Sequence, residues 1–488
     1  MRIARAKAPS MKHLIAVLSL LLLLSACANS RWLANEEQAL GTDGPITHQF
    51  HSALYYPFEL TPRFDGYLVG IEKVKRPADH SVRIKKTDNV NIGASALDRK
   101  FNDGKVMAIT HIIRHSADAR INDNCTVFNA YVQPGQPAER QLISPCHPPH
   151  APLHPANAYS NSWDALGALQ ANLGNRIKDA RSSGALHATA EAQKPYSHIL
   201  VIVMGWNTVQ EEAVRNVNSI TWNLWRAYRA TAAAGTVAGF HPLVITVTWP
   251  SQWSSAWIDP AIKIVSFPTK AEDADEVGLS WLGQLLHGTL PAAQNAASPG
   301  RPLPVVVVGH SFGAKAASVA ACVGPVIVKQ DGDQPMALQR IDAVVNLQPA
   351  YLSERLLGTF DRSSNMVYRN HCSTVDRFVM TASKGDQDVP LPVWGLYAGD
   401  AKSFDSVCGA GTPPQSHVRC AKASAAGEVT LQRAGSTRVT YVDASDLISE
   451  NAFGTSGGSH SDIYRLEHGI MLRDIIQGNV GFASTPQQ

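Results

Sequence analysis

Six short, almost continuous apolar segments in the second half of the chain constrain its fold most strongly. They lie at Ile199–Met204, Leu243–Val247, Val305–Val308, Ile341–Leu347, Phe378–Ala382 and Val439–Val442. Segments that are apolar at consecutive positions are typical of parallel strands that are buried on both faces. Amphipathic stretches lie between them, at Val209–Ala232, Val277–Leu290 and Phe312–Cys322. This alternation predicts an α/β fold, in which helices cover both faces of a mostly parallel sheet.

The first part of the chain has a different pattern. Gly66–Ile71 and Val106–Ile113 are predicted strands of a region that is either a small β-rich domain or an elaboration packed on the main domain. A Pro- and His-rich stretch and a polar, Ala-rich stretch follow, so we expect a boundary between residues 147 and 195. The expected organisation is an N-terminal region at 27–190, partly β and of unknown role, and a main domain at 191–488 with an insert at about 400–436.

The N-terminal 27 residues predict export. Basic residues precede the apolar stretch Leu14–Leu24, which is too short to form a stable membrane span. Leu24-Ser25-Ala26-Cys27 resembles a bacterial lipobox. The resemblance implies that a signal peptide of residues 1–26 is removed and that Cys27 carries acyl chains. Three chains would hold the protein stably on a membrane.

The expected location is therefore the bacterial cell envelope, at the outer membrane facing the periplasm if the source is Gram-negative. An ordinary secretory signal is the alternative, and Met11 is a second candidate start. Residues 1–26 contain four of the 43 basic side chains and none of the 40 acidic ones. The mature chain would thus be nearly neutral, which argues against nucleic acid as a partner.

Six cysteines remain after Cys27, and an exported protein can form disulfides. Short separations in loop-like sequence favour Cys125 with Cys146 and Cys408 with Cys420. Cys322 falls in a predicted helix and is interpreted as a small buried apolar side chain, while its pairing and that of Cys372 stay open. The cysteines lack the Cys-x2-Cys spacing of zinc sites, so no metal is expected there.

Gly309-His310-Ser311-Phe312-Gly313 joins a predicted strand to a predicted helix. This is the pattern of a nucleophile elbow, in which a strained turn exposes the serine hydroxyl. A second match around Ser456 follows no apolar strand and is interpreted as a flexible loop. Ser311 is therefore the candidate nucleophile, and His310 is interpreted as a packing residue under the turn.

A serine hydroxyl needs a base, a group that orients the base, and donors for the oxyanion. Asp386 follows the strand at Phe378–Ala382 and is the preferred acid, with Asp388 as the alternative. His460 lies in a glycine-rich loop and is preferred as the base over His468, which lies in a predicted helix. The backbone N–H groups of Trp206 and Phe312 are the expected oxyanion donors.

Other polar and aromatic clusters have less specific interpretations. Histidines 147, 150 and 154 lie on a Pro-rich loop and are expected to be solvated rather than to bind a metal. His111 and His115 fall in a predicted strand and are expected to be core or surface side chains. Tryptophans 249, 253, 257 and 281 would either line an apolar cleft or pack in the core.

The motifs that carry a family resemblance are Gly205-Trp206-Asn207, Thr248-Trp249-Pro250-Ser251, the Ser311 pentapeptide, Ser383-x-x-Asp386 and Gly-Ser-His460. Over residues 195–488 the chain resembles the α/β-hydrolase superfamily, and within it a group of bacterial esterase- or lipase-like proteins. Met204 stands where many relatives have a histidine. The resemblance implies an α/β-hydrolase fold and hydrolysis of small-molecule or lipid esters through an acyl-enzyme on Ser311, without metal or organic cofactor. Two alternatives are a non-catalytic envelope lipoprotein with a binding role, and an amidase, thioesterase or peptidase that uses the same triad.

Overall fold

The computed structural model describes residues 64–75, 82–84, 97, 105–116, 124–130, 146, 157–183, 195–205, 210–232, 240–249, 271–329, 337–357, 372–386, 397–412, 418–433, 438–449, 460 and 462–478. Its strands are β1 (Gly66–Lys75), β2 (Val82–Ile84), β3 (Lys105–His115), β4 (Cys125–Asn129), β5 (His198–Val203), β6 (Pro242–Thr248), β7 (Val305–His310), β8 (Ile327–Lys329), β9 (Ile341–Leu347), β10 (Val375–Ala382), β11 (Val418–Ala423), β12 (Val429–Arg433) and β13 (Val439–Asp443).

The helices alternate with the strands. They are α1 (Ala158–Ser183), α2 (Gln210–Ala232), α3 (271–279), α4 (Trp281–Gln284, a π-helical turn Leu285–Thr289, and Leu290–Ala297), α5 (Phe312–Cys322), α6 (Glu354–Leu357), α7 (Ala401–Cys408) and α8 (Leu466–Gln477). A 3-10 turn, Cys372–Thr374, precedes β10. Among the described helices, none combines the length and the apolarity that crossing a bilayer requires.

One large sheet of eleven strands organises the described part of the chain, in the order β12-β11-β13-β10-β9-β7-β5-β6-β1-β3-β4. All neighbours from β11 through β1 run parallel. Among the described strands of this sheet, antiparallel pairing is confined to the two edges, at β11 with β12 and among β1, β3 and β4. β2 and β8 form a separate antiparallel pair. The predicted α/β class with a mostly parallel sheet is confirmed.

Apolar side chains pack on both faces of this sheet. Along β5, Val201 and Val203 belong to the core beneath α1, α4 and α5, while Leu200 and Ile202 face the core beneath α2 and α8. Consecutive residues of a strand point to opposite faces, so a strand between two helical layers must be apolar at every position. This three-layer arrangement explains the uninterrupted apolar segments of the sequence.

The N-terminal strands continue the main sheet. Gly66 of β1 is in parallel register with Val244 of β6, and β3 and β4 then extend the sheet outward. The stretch expected to hold a domain boundary contains α1, whose Leu166, Leu169 and Leu173 are buried in the same core. We call β1, β3, β4 and α1 the N-terminal extension. At the other edge, the predicted insert supplies α7, β11 and β12.

The order of the central strands places a topological switch point beside Ser311. β5 and β7 are neighbours, but β5 connects through α2 to β6 on one side, whereas β7 connects through α5 towards β9 on the other. The chain therefore leaves these two adjacent strands in opposite directions. Open parallel sheets bind ligands at such a switch point.

Candidate active site

Ser311 occupies a strained turn between β7 and α5. Its backbone φ of 57° and ψ of −123° are unusual for a residue with a side chain. Gly313 allows this turn to approach β5, because a Cβ there would overlap the backbone carbonyl oxygens of Val203 and Met204. A Cβ at Gly309 would likewise overlap the backbone of Ala314. The close backbone contacts of this turn therefore explain why glycine occupies positions 309 and 313.

The segment after β9 holds the Ser311 peptide from two sides. The N–H of Ser311 donates to the carbonyl oxygen of Leu347 at 3.0 Å, and the N–H of Ala350 donates to the Ser311 carbonyl oxygen at 3.1 Å. Gln348, between these partners, has a φ of 40°. Ser311 and Gln348 are the only non-glycine residues of the described part with positive φ. Backbone strain is thus concentrated at this turn, as it often is at functional sites.

Asp386 and His460 form a buried hydrogen-bonded pair. Nδ1 of His460 lies 2.7 Å from Oδ2 of Asp386, and the Asp386 side chain has no exposed surface. Ser383 fixes the Asp386 loop, because its hydroxyl donates to the Ile448 carbonyl oxygen at 2.7 Å and accepts from the Gly385 N–H at 2.9 Å. A carboxylate accepts the Nδ1 proton, which leaves Nε2 of a neutral imidazole as the basic nitrogen.

His310 connects this pair to the serine turn. Its Nε2 lies 2.9 Å from the backbone carbonyl oxygen of His460, and the two imidazole centroids are 4.8 Å apart. Burial, and then the neighbouring His460, lower the pKa of His310 to about 3. His310 is therefore neutral at physiological pH. It was interpreted from the sequence as a packing residue, and its bond to the main chain of the candidate base carried no sequence signal.

Gly205, which follows β5, lies against Ser311. A Cβ at Gly205 would fall 2.5 Å from Cβ and 3.2 Å from Oγ of Ser311. The indole N–H of Trp249 donates to the Met204 carbonyl oxygen at 2.9 Å and so fixes the residue that precedes Gly205. Phe312, the second expected oxyanion donor, is the first residue of α5 and is fully buried. Trp206 lies outside the described residues.

A buried ionic cluster supports α5 one turn beyond Ser311. Nζ of Lys315 contacts Asp275 at 2.9 Å and the Ala271 carbonyl oxygen at 2.6 Å, and Arg355 contacts Asp275 at 3.1 Å. Burial, and then Arg355, lower the pKa of Lys315 to about 8. The cluster joins α3, α5 and α6 beneath the turn. The sequence signal for this cluster is the single charged residue, Lys315, in the predicted helix Phe312–Cys322.

Three disulfides are present. Cys125–Cys146 and Cys408–Cys420 confirm the predicted pairs. Cys322 is bonded to Cys372, so its interpretation as only a small apolar side chain was wrong. This third bond joins the end of α5 to the turn that leads into β10. The helix after Ser311 and the strand before Asp386 are therefore covalently linked.

The remaining predicted residues fall into two groups. His111 and His115 are buried in β3, where burial lowers the pKa of each to about 3. His468 is buried in α8, and Trp249 and Trp281 are buried in the core. The following residues lie outside the described part: Cys27, His147, His150, His154, Trp253, Trp257, Asp388 and Ser456.

The arrangement brings together a serine with strained backbone, a histidine, and a carboxylate that fixes the tautomer of the histidine. A group of three or more His, Cys, Asp or Glu side chains suited to a metal ion is not found within the described ranges. Comparison with models of known protein families gives no match, and comparison with curated proteins gives none either.

Proposed function

We propose that the protein is a serine hydrolase of the α/β-hydrolase type that cleaves carboxylic esters. The observation that carries the proposal is the Asp386–His460 pair at 2.7 Å, whose histidine is bound through its main chain to the residue directly before Ser311. The switch point between β5 and β7 and the strained serine turn support it.

In the proposed acylation step, Oγ of Ser311 attacks the ester carbonyl carbon while Nε2 of His460 takes the hydroxyl proton. The backbone N–H groups of Trp206 and Phe312 stabilise the oxyanion of the tetrahedral intermediate. The intermediate collapses as the carbon–oxygen bond breaks, and the imidazolium of His460 returns its proton to the leaving alcohol. Asp386 keeps the Nδ1 proton in place and stabilises the imidazolium.

Deacylation repeats these roles with water as the nucleophile. His460 takes a proton from water, the resulting hydroxide adds to the acyl carbon, and Ser311 leaves with the proton that His460 returns. The products are a carboxylic acid and the free serine. Side chains and backbone N–H groups carry every step, so the proposed reaction requires neither a metal nor an organic cofactor.

The substrate class is proposed as small-molecule or lipid esters, on the resemblance to esterase- and lipase-like proteins. Amides and thioesters pass through the same tetrahedral intermediate, so a panel of matched ester, thioester and amide substrates ranks the three activities. We expect the ester to be cleaved fastest.

The test of the proposal is covalent labelling combined with hydrolysis. The wild-type protein should react with a fluorophosphonate probe and hydrolyse short-chain p-nitrophenyl esters, with the adduct on Ser311 in peptide mass spectra. Ser311→Ala should lower kcat about 10⁴-fold or more and abolish labelling. Ser182→Ala, which removes an exposed hydroxyl at the end of α1, is the matched control and should leave both unchanged. The non-catalytic binding role would be favoured by two results together: the wild-type protein is never labelled, and Ser311→Ala still retains binding partners in pull-downs.

We further propose that the mature protein is anchored in the bacterial envelope through acyl chains on Cys27. Metabolic labelling with palmitate should mark the wild-type protein and not Cys27→Ser. The variant should also move from the membrane fraction to the soluble fraction. Equal labelling of the two proteins would contradict the anchor and leave the ordinary secretory signal.

A further inference from the structure

We infer that His310 is a positioning residue for the candidate base, because it ties the main chain of His460 to the serine turn. The inference rests on the proposed function for its kinetic consequences. Its structural part, that the Asp386–His460 hydrogen bond depends on His310, stands independently of any reaction.

The tautomer of His310 follows from its two ring nitrogens. A backbone carbonyl oxygen only accepts hydrogen bonds, so Nε2 of His310 must carry the proton that it donates to His460 at 2.9 Å. Nδ1 of His310 is buried and has no hydrogen-bond partner among the described residues. A second proton on Nδ1 would place a charge without a counter-ion in the core, 4.8 Å from another imidazole.

Two hydrogen bonds hold His460, one on its ring and one on its main chain. The bond to Asp386 fixes the imidazole ring only. The bond from His310 fixes the main chain from which that ring extends. Together they hold the side chain at both ends.

His310 also gives a short connection between His460 and Ser311. Through His310, the path from Ser311 to His460 consists of one peptide bond and one hydrogen bond. A longer path runs from Asp386 to Ser383 and then through the backbone hydrogen bonds Ser383–Gly399, Gly399–Pro349 and Ala350–Ser311. A small displacement of a reacting group can cost about 10²-fold in rate. We therefore expect this bond to act on kcat rather than on KM.

Three substitutions of His310 distinguish the loss of its Nε2–H hydrogen bond from the loss of its side-chain packing. Gln places its Nε2–H group as many bonds from Cβ as the Nε2–H of His, Asn places its amide where Nδ1 stands, and Leu has no donor. We expect His310→Leu and His310→Asn to lower kcat about 10- to 10²-fold with KM nearly unchanged, and His310→Gln to recover most of the loss. His468→Leu is the control, because this buried histidine of α8 has no partner for either nitrogen within the described residues. It should leave kcat unchanged.

The activity-independent readout is the low-field proton NMR resonance of the Nδ1–H of His460, observed in the full-length protein. It should be present in the wild type and in His310→Gln, and weakened or lost in His310→Leu. Loss of this resonance in Asp386→Asn would assign it to the Nδ1–H of His460.

Two outcomes overturn the inference. In the first, His310→Leu has the kcat and the low-field resonance of the wild type. In the second, His310→Gln and His310→Asn lose kcat equally. The comparison of His310→Gln with His310→Asn still tests the inference if His310→Leu does not fold. A wild-type protein that hydrolyses no substrate defeats the proposed function alone, since the resonance still tests the role of His310.

Discussion

The His460–Asp386 contact at the carboxyl edge of the sheet can be compared with the His111–Glu72 contact in the N-terminal extension. Each joins a buried imidazole to a buried carboxylate. The Nδ1–oxygen distance is 2.7 Å in the first and 3.9 Å in the second, where Nδ1 of His111 lies 3.0 Å from the hydroxyl of Thr110 instead. His460 lies outside the strands, between β13 and α8 in the chain, whereas His111 lies inside β3.

The difference shows that burial next to a carboxylate does not by itself produce a hydrogen-bonded histidine–carboxylate pair. His111 lies inside β3, between β1 and β4, and burial keeps it neutral, with its pKa lowered to about 3. At His460 three more features come together: hydrogen-bond distance to the acid, a place at the switch point, and a neighbouring serine with strained backbone.

The largest effect is expected from the acid. Asp386→Asn removes the charge that fixes the tautomer and stabilises the imidazolium, so kcat should fall on the order of 10⁴-fold. Glu72→Gln, the counterpart in the extension, should leave kcat within about twofold, because its carboxylate is not at hydrogen-bond distance from His111. Steady-state hydrolysis of p-nitrophenyl esters measures both.

Asp388→Asn is the second comparison, because the sequence left the two aspartates as alternatives. We expect this variant to retain nearly full activity. If Asp388→Asn were the more damaging substitution, the acid would be assigned wrongly.

Acid should destabilise the protein through its buried histidines. Burial lowers the pKa of each of these to about 3 or about 4: His111, His115, His198, His287, His310 and His468. Below about pH 6.5 the unfolded chain binds protons that the folded chain does not. Stability is therefore highest above that pH and falls as pH drops towards 4, by about 1.4 kcal/mol per pH unit for each such proton.

Urea unfolding at pH 7.5, 6.0 and 5.0 should show the free energy of unfolding falling by on the order of 10 kcal/mol, because each of the six histidines contributes about 2 kcal/mol between pH 6.5 and 5.0. His468→Leu should reduce the slope by up to one proton, because leucine does not titrate. A free energy of unfolding that stays constant from pH 7.5 to 5.0 would show that these histidines titrate normally in the folded state.

The next effect compares one glycine at the site with one in the extension. Gly205→Ala would place a methyl group 2.5 Å from Cβ of Ser311 and should lower kcat about 10²-fold by displacing the nucleophile or its loop. Gly167 is exposed in α1, and a Cβ there would meet open space. Gly167→Ala should leave kcat unchanged and raise the free energy of unfolding by about 1 kcal/mol. Equal kinetic losses in the two variants would contradict a specific contact at Gly205.

Local patterns predicted the central elements well. The predicted helix Phe312–Cys322 has the same bounds in the structure, because the Ser311 turn starts it and a turn at Val323 and Gly324 ends it. The six apolar segments became β5, β6, β7, β9, β10 and β13. The choice of Asp386 and His460 followed from their places after strands, which parallel strands bring to one edge.

Contacts between distant segments were beyond sequence reasoning. The pairing of β1 with β6, the Cys322–Cys372 bond and the donation from His310 to His460 each join residues far apart in the chain. Periodicity reports which face of an element is buried, but not which element covers that face. The polar stretch before residue 195 also hid α1, because its apolar residues occupy one face only.

The parallel pairing of β1 with β6 has a consequence for biogenesis. The ribosome makes β1 early, but its neighbour on the inner side of the sheet does not exist until residues 242–248 have been added. Until then β1 and β3 can pair with each other as an antiparallel ribbon, in which one edge of β1 leaves its backbone N–H and C=O groups unpaired. A chain under synthesis holds this edge open until β6 is made, and such open edges are prone to pair with the wrong strand.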